Sequence, residues 1–205
     1  DTRANVLCPR LTLVVPAFGV EAYIEDCLRS IINAASETGP IELIVIDDGS
    51  PDHTLERASS LLAELTKHGV LLLSQENQGL SAVRNLGASL ARGDWIAFLD
   101  SDDELLAPGF CRIWDAAEKT VADLILAKTY LYDQTGNHQP FYHHTLWQSL
   151  LQGDARRLTS VLDAPGLMGL EPNVNYRWIR RSFYQSRKLC FPEGLYFEDA
   201  PIHFK

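Results

Sequence analysis

The chain has 205 residues, 46% of them hydrophobic and 22% charged, with a formal net charge of −9. That is ordinary globular composition in a length that buries a sizeable core, and no basic stripe of the kind a nucleic-acid binder carries is present. The four cysteines (Cys8, Cys27, Cys111, Cys190) are far apart and show no C-x-x-C pairing, so neither a disulfide framework nor a zinc site is indicated, and no apolar run reaches membrane-spanning length.

In chain order, Leu11–Val15 is a short β-branched run stopped by Pro16, which predicts a buried strand. Ile24, Leu28, Ile31, Ile32 and Ala35 then fall on one helical stripe, closed by Gly39-Pro40. Ile41–Ile46 predicts a second strand. Ser50 and Pro51 are placed to cap and start a helix with its stripe at Leu55, Ala58, Leu61, Leu62 and Leu65. Val70–Leu73 is the third predicted strand, Ser81–Ala91 a helix, and Trp95–Leu99 the fourth strand. Beyond Pro108 the pattern predicts a helix over Phe110–Lys119 and one strand over Asp123–Tyr132. Short helices follow around Trp147–Leu151 and Arg156–Leu162, then a strand over Asn173–Ile179. Strands alternating with single amphipathic helices imply a mainly parallel α/β sheet with helices on both faces, and ligands in such sheets lie beyond the carboxyl ends of the strands.

Those strand ends carry the polar chemistry. Strand two ends in Asp47-Asp48-Gly49-Ser50 and strand four in Asp100-Ser101-Asp102-Asp103. Asp100 and Asp102 alternate with Ser101, so in an extended chain they share a side. Hard oxygens clustered this closely suit Mg²⁺ or Mn²⁺, and an ion held by one or two carboxylates keeps positions open for diphosphate oxygens. A solvated acidic turn that caps the next helix fits the same spacing. Asp47-Asp48 is equally a turn or a hydrogen-bond acceptor for a base or ribose. Arg84, placed in the first turn of its helix against the dipole, either reaches a phosphate or an acidic loop or is an ordinary surface arginine. Trp147 and Trp178 are expected in the core, and the histidines have no metal-ligand spacing.

Four segments together, "LTLVVPAF", "IELIVIDDGSPDHT", "ENQGLSAVRNLGASLARGDWIAFLDSDDEL" and "LCFPEGLYFED", resemble the inverting family 2 glycosyltransferases of the GT-A fold. The resemblance implies a Rossmann-like GT-A domain, truncated after the catalytic-base segment. Residues 1–10 would be an N-terminal extension, 11–105 the nucleotide-sugar-binding half and 106–205 the acceptor-side half. It implies that Pro16, Ala17 and Phe18 lie against the base and ribose, and that Asp48, with Asp47 beside it, reads the base, commonly uracil. It implies that Arg84 stands near the nucleotide and that Asp100 and Ser101 lie on the donor side. Asp102 would be the first metal ligand, supported by Asp100 and Asp103. Asp199 matches the catalytic base, with Glu198 as neighbour and fallback. Gly19 stands where the family usually has asparagine, which alters that contact. The implied cofactor is Mn²⁺ or Mg²⁺, the donor a UDP-sugar and the acceptor a saccharide or lipid-linked hydroxyl. The implied setting is the cytoplasm or the inner face of a bacterial membrane, with no nucleic-acid partner. A nucleotidyltransferase or a non-catalytic nucleotide-sugar-binding module are the alternatives. The metal role also requires that the aspartates not be locked in ion pairs with lysine or arginine.

Overall fold

A computed structural model describes residues 9–63, 69–132, 137–140, 143–153 and 158–203. Its centre is a six-stranded sheet of β1 (Leu11–Ala17), β2 (Glu42–Asp47), β3 (Gly69–Ser74), β4 (Trp95–Phe98), β5 (Leu124–Leu126) and β8 (Arg177–Arg180). Their order is β3-β2-β1-β4-β8-β5. The β3, β2, β1 and β4 strands run parallel, and β8 lies antiparallel between β4 and β5. A separate two-stranded ribbon pairs β6 (Tyr130–Tyr132) with β7 (His138–Pro140).

Every residue of β1 and β2 is buried, as expected for central parallel strands covered on both faces. The period-two alternation divides them. Leu11, Leu13 and Val15, with Leu43, Val45, Trp95 and Ala97, pack against α1 (Ile24–Ser36), α2 (Thr54–Leu62) and α4 (Ala107–Lys119). On the opposite face, Ile44 and Ile46 meet Val83 of α3 (Leu80–Leu90). Val14, Ile96 and Phe98 pack there too, with Phe191 and the helices α6 (Arg181–Ser186) and α7 (Ala200–His203). Trp178 is 5% exposed and sits with Phe110 and Trp114 in an aromatic cluster of the first core, while Trp147 packs in a satellite cluster with α5 (His144–Leu151). Trp178 is therefore a core residue, whereas Trp147 is half-buried against its cluster.

The chain winds outward from β1 through β2 to β3, then returns through α3 to β4 on the other side of β1. The connections diverge between β1 and β4, and in an open α/β sheet that divergence places the ligand crevice at their carboxyl ends. Gly87 makes the return possible. A Cβ there would lie 2.3 Å from Val14 Cγ1, so only glycine lets α3 lie this close to β1.

Several boundaries differ from the sequence expectation. The first turn of α2 begins at Thr54, not at Ser50-Pro51, because the Asp52 carboxylate accepts the Thr54 N–H at 3.1 Å and its hydroxyl at 2.6 Å. These bonds, the hydroxyl's foremost, lower the Asp52 pKa. The segment 123–132 is two strands: the Ala127 N–H donates to Tyr176 O at 2.9 Å, and the chain then leaves the main sheet for the ribbon. The segment 173–179 opens with a 3₁₀ turn over Val174–Tyr176, because the Asn173 side chain accepts the Asn175 N–H at 2.8 Å and competes with strand pairing. Residues 158–162 are not helical, and the remainder of that predicted helix, like residues 1–8 of the N-terminal extension, lies outside the described residues. No helix among the described residues is long and apolar enough to cross a membrane.

Candidate functional site

Three of the sequence-predicted carboxylates, Asp100, Glu198 and Asp199, gather around one guanidinium. Arg84 lies in the second turn of α3, not the first, and its side chain is 2% exposed. Its Nη2 donates to Asp100 Oδ1 at 2.8 Å, and its Nη1 donates to Glu198 Oε1 at 2.7 Å and Asp199 Oδ1 at 2.8 Å. The guanidinium lies 5.3 Å from the centre of the Phe191 ring, while its buried Nε has no partner among the described residues. Of the three roles open to Arg84, the structure displays the contact with acidic loops. One cation here faces three carboxylates contributed by two regions about a hundred positions apart in sequence.

Asp199 has both oxygens engaged, since Oδ2 accepts the Val174 N–H at 3.0 Å. Its pKa is raised: burial is the main cause, Glu198 and Asp100 add to it, and Arg84 and the Val174 N–H oppose it. A raised pKa makes a carboxylate a stronger proton acceptor, as a general base requires.

At the end of β4, Asp100 is held from both sides: Oδ1 by Arg84, Oδ2 by Asn175 Nδ2 at 2.7 Å. The same Nδ2 donates to Asp103 Oδ2 at 3.0 Å. Ser101 is buried beneath the turn, and Asp102 is exposed with no hydrogen bond or ion pair among the described residues. The condition that these aspartates be free of arginine is therefore met by Asp102 and Asp103 and failed by Asp100.

Among the described residues no three His, Cys, Asp or Glu side chains form a group that could hold an ion unaided. The donor set nonetheless suits an ion that takes its remaining ligands from a diphosphate. Asp102 is uncommitted. The Asp103 residue is largely exposed, but its carboxyl is partly shielded from water and lies near Asp100 and Asp102, which lifts its pKa to about 6 despite the Asn175 bond. A cation would relieve that excess of negative charge.

The residues expected on the donor side lie at the ends of β1 and β2. Pro16 and Ala17 are buried and Phe18 is 51% exposed, with its ring at the rim. Gly19 adopts φ +66° and donates its N–H to Ser50 Oγ at 3.1 Å, so it serves a loop-to-loop contact in place of the family's asparagine. Asp48 is 3% exposed. Its Oδ1 accepts from Gln75 Nε2 at 2.8 Å and from the Gln78 N–H at 2.9 Å, and its Oδ2 accepts the Gly79 N–H at 2.7 Å. The carboxylate thus fastens the loop that leads into α3. Asp47 Oδ2 accepts from Ser74 Oγ at 3.0 Å, and its buried Oδ1 has no partner among the described residues. Replacing Asp48 by alanine strands two backbone donors at the start of α3 and is expected to destabilise the protein by about 3 kcal/mol, measured by denaturant unfolding.

Sequence reasoning missed Val174, Asn175 and Phe191 as parts of this site. The motif arginine hinted at an acidic partner, but nothing in "NVNY" separates Asn175 from a strand residue.

Comparison with known proteins identifies the family and the fold. The family model for glycosyl transferase family 2 matches residues 12–183. The chain is 33% identical over 196 residues to the putative glycosyltransferase EpsH of Bacillus subtilis, covering 90% of this chain and 51% of that protein. Among solved structures, S. aureus TarS 1–349 in complex with UDP-GlcNAc superposes with a TM-score of 0.69 at 20% identity, over 95% of this chain and 52% of that one. The mannosyltransferase PcManGT of Pyrobaculum calidifontis, in complex with GDP-Man and Mn²⁺, gives a TM-score of 0.64 at 17% identity, over 96% of this chain and 51% of that one. The chain spans about half the length of these relatives. It has the GT-A fold, and it belongs to glycosyl transferase family 2.

Proposed function

We propose that this chain is the donor-binding and catalytic part of a metal-dependent inverting glycosyltransferase, which moves a sugar from a nucleoside diphosphate, UDP first among candidates, to a hydroxyl acceptor. The observation that carries this is the convergence of Asp100, the first residue of the acidic β4-end loop, with Glu198-Asp199 around buried Arg84, at the switch point of the sheet. The UDP-GlcNAc complex of TarS supports the donor class, and the Mn²⁺ in PcManGT supports the ion.

Phe18 and the Asp47–Asp48 strand end form the nucleotide side of the crevice, and Asp102 with Asp103 would hold Mn²⁺ or Mg²⁺. When bound, the ion supplies neutralisation of the charge that develops on the departing diphosphate. Asp199 takes the proton of the acceptor hydroxyl as that oxygen attacks the anomeric carbon from the face opposite the nucleotide. Arg84 keeps Asp199 oriented and limits the rise in its pKa. Burial of the Arg84 cluster excludes water from the base except at the crevice. The acceptor is a saccharide or lipid-linked hydroxyl, and the cytoplasmic face of a bacterial membrane suits a nucleotide-sugar donor.

The test is UDP binding by calorimetry. Asp102→Ala weakens UDP binding about tenfold or more in Mn²⁺ and leaves it within about twofold in EDTA, the size of effect that loss of a charged ligand contact produces. An equal loss in both conditions refutes the metal role of Asp102. Metal-dependent UDP binding by the unaltered protein, with no sugar release from any nucleotide-sugar, identifies a binding module instead.

A further inference from the structure

Asn175 stands between the two acidic segments. Its backbone belongs to the 3₁₀ turn Val174–Tyr176, whose first N–H holds Asp199 Oδ2. Its side-chain amide holds Asp100 Oδ2 and Asp103 Oδ2. The same short turn therefore fixes both the base candidate and the acidic loop. Asn173 fixes the turn in its own place, through its side-chain acceptor on the Asn175 N–H.

The residue type matters. Nδ2 has two hydrogens, one for each carboxylate, and is neutral. Arginine or lysine in this position would cancel the negative charge that draws a cation, whereas an apolar residue would leave Asp100 and Asp103 to repel each other. An amide brings two carboxylates together while leaving their charge in place. The amide orientation is fixed by this contact, because the alternative assignment would turn Oδ1 toward two carboxylate oxygens. Oδ1 consequently faces away, buried and without a donor among the described residues.

We propose that Asn175 is a positioning residue for the divalent cation: it orients Asp103 and restrains the β4-end loop, so that Asp102 and Asp103 present their oxygens together. This rests on the metal-dependent reading above. Asn175 does not ligate the ion. Partners that orient ligating carboxylates commonly change metal affinity ten- to a hundredfold when removed.

The experiment is electron paramagnetic resonance of Mn²⁺ titrated into the protein with and without UDP, alongside melting temperature and kcat at saturating Mn²⁺. In Asn175→Ala the Mn²⁺ Kd rises about tenfold or more, and the loss of transfer at low Mn²⁺ is recovered in part as Mn²⁺ is raised to saturation. Asn175→Ser, which retains one short donor and fills most of the volume, shows a smaller rise and carries the test if the alanine variant does not fold. An unchanged Mn²⁺ Kd in either folded variant overturns the proposal, whatever happens to the melting temperature. Absence of Mn²⁺-dependent UDP binding in the unaltered protein sinks the metal reading itself, and with it this one. The two failures thus appear in different arms of the experiment.

Discussion

Asp199→Asn is expected to lower sugar transfer by about 10³-fold while UDP affinity in Mn²⁺ stays within about twofold, since a positioned general base contributes roughly 10²–10⁴ to a rate. The substitution is close to isosteric, so the donor crevice at the β1 and β2 ends is unaffected. The amide cannot take a proton, and it cannot accept at both of its ends. It therefore keeps the bond from Arg84 Nη1 or the bond from the Val174 N–H, not both. A modest fall in melting temperature accompanies the loss and is to be separated from it by measuring kcat below the unfolding range. Glu198→Gln is the control, because Glu198 shares the same Arg84 nitrogen. Retained transfer in Asp199→Asn, with the larger loss in Glu198→Gln, would assign the base to Glu198. If Asp199 is the base, the acid limb of the kcat profile of the unaltered protein is expected to be displaced upward from that of an ordinary aspartate, because burial is the largest influence on the Asp199 pKa and raises it.

The second large effect concerns Arg84. Arg84→Met removes the guanidinium that faces Asp100, Glu198 and Asp199, and the expected cost is about 3 kcal/mol, because the three carboxylates left unpaired are partly shielded from water. For a chain of this size that corresponds to a fall in melting temperature of roughly 10 °C. The pH dependence gives the sign. Without Arg84 the Asp199 carboxyl, already raised by burial, loses the cation that opposes that rise, so its ionised folded state is penalised further at pH 7. That penalty disappears as the pH falls below the unfolded value and Asp199 takes up a proton. The difference in melting temperature between variant and unaltered protein should accordingly narrow from pH 7 to pH 4. A constant difference would mean that Arg84 stabilises through its packing on Phe191 alone. Arg84→Lys restores only part of the loss, because a single ammonium cannot reproduce a planar fork that reaches three carboxylates at once.

These two residues show why the site required a fold to exist. Arg84 and Asp100 are sixteen positions apart, but Arg84 and Asp199 are separated by 115. They meet because Gly87 lets α3 lie against Val14, which brings the second turn of α3 to the carboxyl edge of the sheet. The meeting also requires the 3₁₀ turn before β8 to hold the Glu198-Asp199 segment over that edge.

The local hydrophobic rhythm was sufficient for the parallel half: short apolar runs for β1 to β4, amphipathic stripes for α1 and α2, helices over Ser81–Ala91 and Phe110–Lys119, and acidic strand ends on a single rim. Each follows from residues within a few positions of one another, which is where propensity and periodicity act. The second half was less legible because its elements answer to distant partners. β5 stays on the main sheet up to the bond from the Ala127 N–H to Tyr176 O, after which the chain leaves for the ribbon, and β8 is an antiparallel insertion paired with both β4 and β5. Sequence alone likewise nominated the carboxylates at the β2 and β4 ends, since clustered aspartates after a strand are visible in one dimension, whereas Glu198 and Asp199 were indicated only by the family resemblance. It could not show that Asp100 is committed to Arg84 and Asn175 while Asp102 stays free, or that Asp48 fastens a loop. Hydrogen-bond commitments of that kind depend on which side chains the sheet and its crossovers bring within 3 Å, a distance that sequence separation does not encode.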